Sequence, residues 1–254
     1  MSISPETTPS APQEFKFESE FGLNVEDMAK AGLHLGHSPS KTHPRMKQFI
    51  YGVKNGVHLL DLEKSIVQFE AALKFIRELA AAGKKIVLVG GKVQAKALIE
   101  QLGKELGLAY VSERWLGGSL TNLKVLRLRI ERMQNIRKLQ EQGELDKYTK
   151  KERLEFEREY NKLMIKFGGI EQMQELPAAV FLCDIPKSGG IIREAKASGV
   201  KVIALCDTNA DPATVDVAIP LNDDAISALS YILDKVRQAI LQGRAQAQPA
   251  SKAQ

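Results

Sequence analysis

Apolar positions along this chain fall into two alternating patterns. Lys85–Gly90 (KIVLVG), Ala178–Asp184 (AAVFLCD) and Lys201–Asp207 (KVIALCD) are unbroken apolar runs of strand length, closed by Gly or Asp. Continuous rather than alternating apolarity marks strands buried on both faces. Leu108–Ser112 and Val217–Ile219 read as shorter strands, and Val57–Asp61 (VHLLD) as another short apolar run. Helical stretches separate them. Asp61 stands in an N-cap position before Leu62–Ala82, which Gly83 stops. Lys92–Leu106 ends at Gly107, and a short helix lies near Gly190–Ser198. Asn222 is expected to cap a last helix, with Asp223 and Asp224 in its first turn. This alternation predicts an α/β fold, a parallel sheet with helices on both faces.

Ser119–Phe167 breaks the alternation, with no strand pattern and no Pro. Leu120, Leu123, Leu126, Ile130, Met133, Ile136 and Leu139 recur at helical spacing as far as Gln142–Gly143. Thr149 and Glu152 form a capping box, and Phe156, Tyr160, Leu163 and Phe167 carry a second stripe. The turn is short, so the helices should pair antiparallel as an inserted coiled-coil hairpin about 30 Å long. The expected organisation is a disordered extension over 1–20, a discontinuous α/β domain over 21–118 and 168–243, the hairpin over 119–167, and a disordered tail over 244–254.

Composition narrows the class. The chain has 254 residues, 44% of them hydrophobic, enough for a sizeable core. Two cysteines, both ending apolar runs, read as reduced thiols of a cytoplasmic protein. No apolar stretch reaches the roughly 18–20 residues of a membrane helix, and residues 1–27, with six acids and one Lys, resemble neither a secretory signal nor a transit peptide. The net charge of +5 is unevenly spread: residues 28–60 carry five cations and no acid, and residues 114–166 sum to +6. Two positive blocks suit a polyanion, although a solvated Lys-rich surface would give the same count.

Catalytic chemistry finds little support. Gly90-Gly91-Lys92 matches neither of the common phosphate-loop patterns, and a tight strand–helix turn explains its glycines. Asp184 and Asp207 could form a carboxylate pair, but Asp at a strand end usually ties up loop amides. No His follows His58 to serve beside them. His34, His37 and His43 lack the spacing of a zinc motif, so no metal and no cofactor is expected. They read instead as anchors in a basic loop that Pro39 and Pro44 should keep extended. Trp115, the only Trp, could stack on a base but should wedge the hairpin root against the sheet. The expected phosphate contacts are Lys41, Arg45 and Lys47 in the loop and Arg114, Lys124, Arg127 and Arg129 at the start of the hairpin, with Arg132 continuing the row.

Ala31–His37 (AGLHLGH), His43–Met46 (HPRM), Phe49–Gly52 (FIYG), Val57–Lys64 (VHLLDLEK) and Arg114–Asn122 (RWLGGSLTN) occur in that order. Leu145–Glu152, Gly168–Ile170, Cys206–Pro212 (CDTNADP) and Ile219–Ile226 (IPLNDDAI) follow. Together, from about Val25 to Leu241, these stretches closely resemble the bacterial second protein of the small ribosomal subunit, the uS-two family. The resemblance implies a Rossmann-like sheet domain bearing a coiled-coil hairpin. It implies a structural, non-enzymatic role, with small-subunit rRNA and neighbouring ribosomal proteins as partners, the mRNA-capturing S-one protein among them. It implies neither a membrane nor a small-molecule substrate. Leu123, Leu221 and His43 stand where the family commonly has an aromatic residue, Gly and Asn, and the acidic N-terminal extension is longer than usual. The rival readings are a nucleotide- or phosphosugar-dependent cytosolic enzyme on the same sheet, and a coiled-coil adaptor that binds only proteins.

Overall fold

The structure, a computed structural model, describes residues 17–173 and 175–247. After α1 (Val25–Lys30) the chain forms an antiparallel hairpin of β1 (Ile50–Lys54) and β2 (Val57–Leu60). Then come α2 (Leu62–Ala81), β3 (Ile86–Val89), α3 (Val93–Leu106) and β4 (Tyr110–Val111). The inserted helices α4 (Leu123–Glu141) and α5 (Lys150–Phe167) follow. The chain finishes through β5 (Ala179–Leu182), α6 (Gly189–Ser198), β6 (Lys201–Leu205), β7 (Val217–Ile219) and α7 (Ile226–Ala247).

The main sheet has five parallel strands in the order β4-β3-β5-β6-β7. Alternate residues of each central strand face opposite layers. Ile86, Leu88, Phe181, Ile203 and Leu205 pack under α2, α3 and α7, while Val87, Val89, Leu182, Val202 and Ala204 face α6 and the root of the inserted hairpin. Both faces are covered, which is why the strands read as continuous apolar runs. Among the described residues no helix is long and apolar enough to cross a membrane.

Two expectations change. Val57–Leu60 joins its own small hairpin with β1, not the main sheet. The cause is Asn55-Gly56, both with positive φ (52° and 76°), the turn that twists two strands together. Asn222 lies outside the last helix, which begins at Ile226. Its side-chain carbonyl accepts from the amides of Asp224 and Ala225 (2.9 and 3.4 Å) and turns the chain ahead of the helix, and its amide donates to Gly32 O. Asp223 and Asp224 therefore precede the first turn and are free for other contacts. Leu221 is fully buried in the core on the α2–α7 side of the sheet, and Leu123 packs half-buried against the core on the opposite side.

The long antiparallel helices α4 and α5 are joined through a 3-10 turn at Glu144–Lys147, and the capping box at Thr149 and Glu152 is present in full. Leu126, Ile130 and Met133 of α4 and Phe167 of α5 are continuous with the core on the sheet's face, so the hairpin root is anchored on the body. Residues 17–20, inside the expected N-terminal extension, are packed. Ser19 donates to Glu70, and Glu20 bridges Lys74 and Arg77 (2.8 and 2.7 Å). Arg244–Ala247 of the expected tail continue α7. The remainder of both expected disordered segments lies outside the described residues. Cys183 and Cys206 are free and buried. Burial raises both thiols, Cys206 to about 12, which leaves them unreactive at neutral pH.

Candidate nucleic-acid interface

The basic loop is not extended. Pro39 and Pro44 each open a short 3-10 helix, Pro39–Lys41 and Pro44–Phe49. The ring that fixes φ near −65° suits a first helical position as well as an extended one. His43 Nδ1 caps the second turn by accepting from the Arg45 amide. The loop rests on the carboxyl end of β6. The His43 amide donates to Thr208 O (2.8 Å), the His37 amide to Thr208 Oγ1 (2.9 Å), and Arg45 pairs with Asp211 (2.8 Å). Lys41 and Lys47 are exposed, and their side chains form no hydrogen bond or ion pair among the described residues. Arg45 is exposed but already engaged, so of the three expected contacts in the loop it is the one tied to the protein's own acid.

The second basic block begins at Arg114. Trp115 packs half-buried against the core at the hairpin root, as its apolar surroundings suggested. Glu194 of α6 fixes the segment. Its carboxylate accepts from the amides of Gly118 (2.9 Å) and Leu120 (3.2 Å) and from the Trp115 indole (3.4 Å). Nothing in the sequence pattern singled out Glu194, because its partners lie 74 to 79 residues upstream. Asn122 then caps α4 by accepting from the Val125 amide. Arg114, Lys124, Arg127 and Arg129 are all exposed, and among the described residues their side chains form no ion pair or hydrogen bond. The next arginines differ. Arg132 makes a bidentate pair with Glu159 of α5 (2.8 and 3.1 Å) and lies over the Phe156 ring, Arg137 pairs with Glu171 (2.9 Å), and Arg153 pairs with Asp146 (2.9 Å). Hydrogen bonding to Glu159 and Glu171 raises the pKa of Arg132 and Arg137 further, so both stay charged and paired.

At the carboxyl ends of the strands, where α/β sheets commonly bind nucleotides, the protein's own side chains occupy the space. Lys92 is buried and pairs with Asp223 (2.5 Å) and Asp224 (2.6 Å). Burial opposes its charge, but the two acids outweigh this and hold it up to about 12. Asp184 and Asp207 are buried nearby. Burial, and then the field of Asp207, push Asp223 up to about 7 despite Lys92. A Cβ on Gly90 would stand 2.7 Å from the Ile99 side chain, so that glycine serves helix packing and not phosphate approach. An acid-lined, filled crevice repels a nucleotide's phosphates, which removes the physical basis of the nucleotide-enzyme reading. The three histidines do not converge. His43 turns to Asp211, whereas His37 meets Asp207 and Asp224.

Comparison with known proteins places this architecture. A family described as ribosomal protein S2 matches residues 28–243. The small ribosomal subunit protein uS2 of Chlorobaculum tepidum is 45% identical over 222 residues, 87% of this chain and 89% of that protein. The uS2 protein of Chloroherpeton thalassium is 43% identical over 223 residues, 88% and 89% of the two chains. That of Bdellovibrio bacteriovorus is 40% identical over 221 residues, 87% of this chain and 71% of the longer relative.

Proposed function

The chain belongs to the ribosomal protein S2 family, and from that premise we propose that it holds small-subunit rRNA through phosphate neutralisation, as a structural constituent of the subunit. Within this family it is a ribosomal protein and not an enzyme. The observation that carries the rRNA reading is the group of exposed cations Arg114, Lys124, Arg127 and Arg129 at the hairpin root, joined by Lys41 and Lys47 in the loop, all unpaired among the described residues. Unpaired cations on a rigid helix can track a phosphate backbone without reading bases, which suits A-form RNA with its inaccessible major groove. Arg45 contributes less, because binding a phosphate means sharing or leaving Asp211. The layered body supplies a fixed platform, and Glu194 sets the position of the hairpin root on it. Contacts with neighbouring small-subunit proteins, the mRNA-capturing S-one protein among them, and a cytoplasmic location complete this reading.

Sedimentation tests it. In a cell extract the protein should travel with small subunits at low salt and be stripped at high salt. Free protein at the top of the gradient at every salt concentration would contradict the proposal. Sedimentation that salt does not alter would favour the protein-only adaptor.

A further inference from the structure

A single exposed apolar side chain on a protein surface is ordinary. Tyr51 of β1 is distinguished by its setting. It is 81% exposed, whereas Tyr148, also on the surface (38%), rests edge-on against Phe156. The Tyr51 hydroxyl forms no hydrogen bond, and its ring no aromatic or cation contact, among the described residues. The backbone puts it there. Ile50 faces Leu60 and Gly52 faces Leu59, so Tyr51 is the extra residue of a β-bulge. A bulge takes a side chain out of the ladder and re-aims it. A Cβ on Gly52 would meet nothing within 4 Å, so no neighbour crowds the strand beside the ring. The surrounding charge has one sign. Residues 28–60 hold five cations and no acid, and Asp61, which follows them, is held by Lys64 (3.0 Å). Lys54 on the same strand and Lys47 just ahead of it are exposed, and their side chains are unpaired among the described residues. Lys47 and Phe49 also line an open groove with Pro44, Arg45 and Pro212, so the chain leading into Tyr51 is both basic and grooved.

We propose that the β1–β2 hairpin is an RNA contact of a second kind, in which Tyr51 stacks on an unpaired base of small-subunit rRNA while Lys47 and Lys54 neutralise the phosphates that flank it. A free aromatic face among cations is how proteins hold single-stranded nucleic acid, because every base has a face to stack and every linkage a charge to neutralise. A continuous duplex offers no such face, so the ligand is a nucleotide in a loop, a bulge or an end. The other occupant of this surface would be a strand from a neighbouring protein, added along the outer edge of β1. The bulge at Tyr51 and the exposed Lys54 oppose it, since both are features that guard a sheet edge against further pairing. The outer edge of β2 is already covered by the chain's own segment 34–37, through the Gly36 amide to His58 O (2.9 Å) and the Leu60 amide to His34 O (2.7 Å). The inference rests on the rRNA reading above and extends it: cations at the hairpin root follow phosphates whatever the base, whereas Tyr51 requires a base outside a helix.

The test measures binding of the full chain to small-subunit rRNA over a range of salt. Tyr51→Ala and Tyr51→Ile should each weaken binding about tenfold, while Tyr51→Phe, which keeps the ring, should stay within about twofold of the native chain. The slope of log affinity against log salt should not change in any Tyr51 variant, because stacking releases no counterion, whereas Lys54→Gln should shrink it by about 0.7. Native affinity in Tyr51→Ala would overturn the proposal while leaving phosphate neutralisation at the hairpin root standing. Native affinity in Tyr51→Ile would also overturn it, since apolar bulk and not a stacking face would then be what the site needs. If Tyr51→Ala kept its rRNA affinity but no longer travelled with small subunits on sedimentation, the surface would belong to a protein neighbour and the proposal would fall. Absence of salt-dependent rRNA binding by the native chain would overturn this inference and the rRNA reading together.

Discussion

The inserted hairpin and the segment that leads into it carry two kinds of cation. From Arg114 to Arg129 four basic side chains are exposed and unpaired among the described residues, whereas Arg132, Arg137 and Arg153 are each held by an acid. A segment sum of +6 counts both kinds alike. The acids that engage the second group are brought near by folding: Glu159 across the hairpin, and Glu171 beyond its end. Paired cations hold the hairpin together, and free ones remain for a polyanion. Segment charge therefore indicates a partner class, and only the pairing pattern assigns the work to particular residues.

Reversing two of the free charges should break the contrast most visibly. The double variant Lys124→Glu and Arg127→Glu should lose at least tenfold in affinity for small-subunit rRNA near physiological salt, with an unchanged circular dichroism spectrum. Unaltered affinity would show that the hairpin root is not the interface. A smaller effect is expected from Glu194→Ala, which strands two amides and the indole of Trp115 and should cost about 1–3 kcal/mol in denaturant unfolding. If stability were unchanged, Glu194 would not be what positions the root. Smaller again, Glu159→Gln should release Arg132 to solvent. Its cost in stability should stay below about 1 kcal/mol, since the pair is exposed, and rRNA affinity should rise slightly as a further cation becomes free. Asp211→Asn, which frees Arg45 in the same manner, should give the least gain, and a fall in affinity there would mean that the pair itself shapes the binding surface.

Much of the fold is legible in the sequence. Apolar runs such as KIVLVG and AAVFLCD, together with Gly83 and Gly107 as helix stops, locate the sheet and its helices because burial on two faces leaves a one-dimensional trace. The short apolar run Val57–Leu60 carries no mark of which sheet it joins, and the Asn55-Gly56 turn before it decides the matter. Pro39 and Pro44 are ambiguous in principle, since one fixed φ serves both helical and extended chain. The site is less legible. Exposed Lys and Arg can be named, but that Arg45 meets Asp211 across 166 positions, or that Lys92 is buried between Asp223 and Asp224, depends on tertiary contacts without local signal. His37 groups in sequence with His34 and His43, while its contacts Asp207 and Asp224 lie at the far end of the chain.

The most direct test compares two neutralised proteins over a range of salt. One replaces Arg114, Lys124, Arg127 and Arg129 by Gln, and the other replaces Arg132, Arg137 and Arg153 by Gln. If free cations neutralise phosphates, the slope of log affinity against log salt for small-subunit rRNA should shrink by about 3 in the first protein, at roughly 0.7–0.9 for each phosphate no longer neutralised, and by much less than one in the second. Equal changes in the two, or a larger change in the second, would contradict the account.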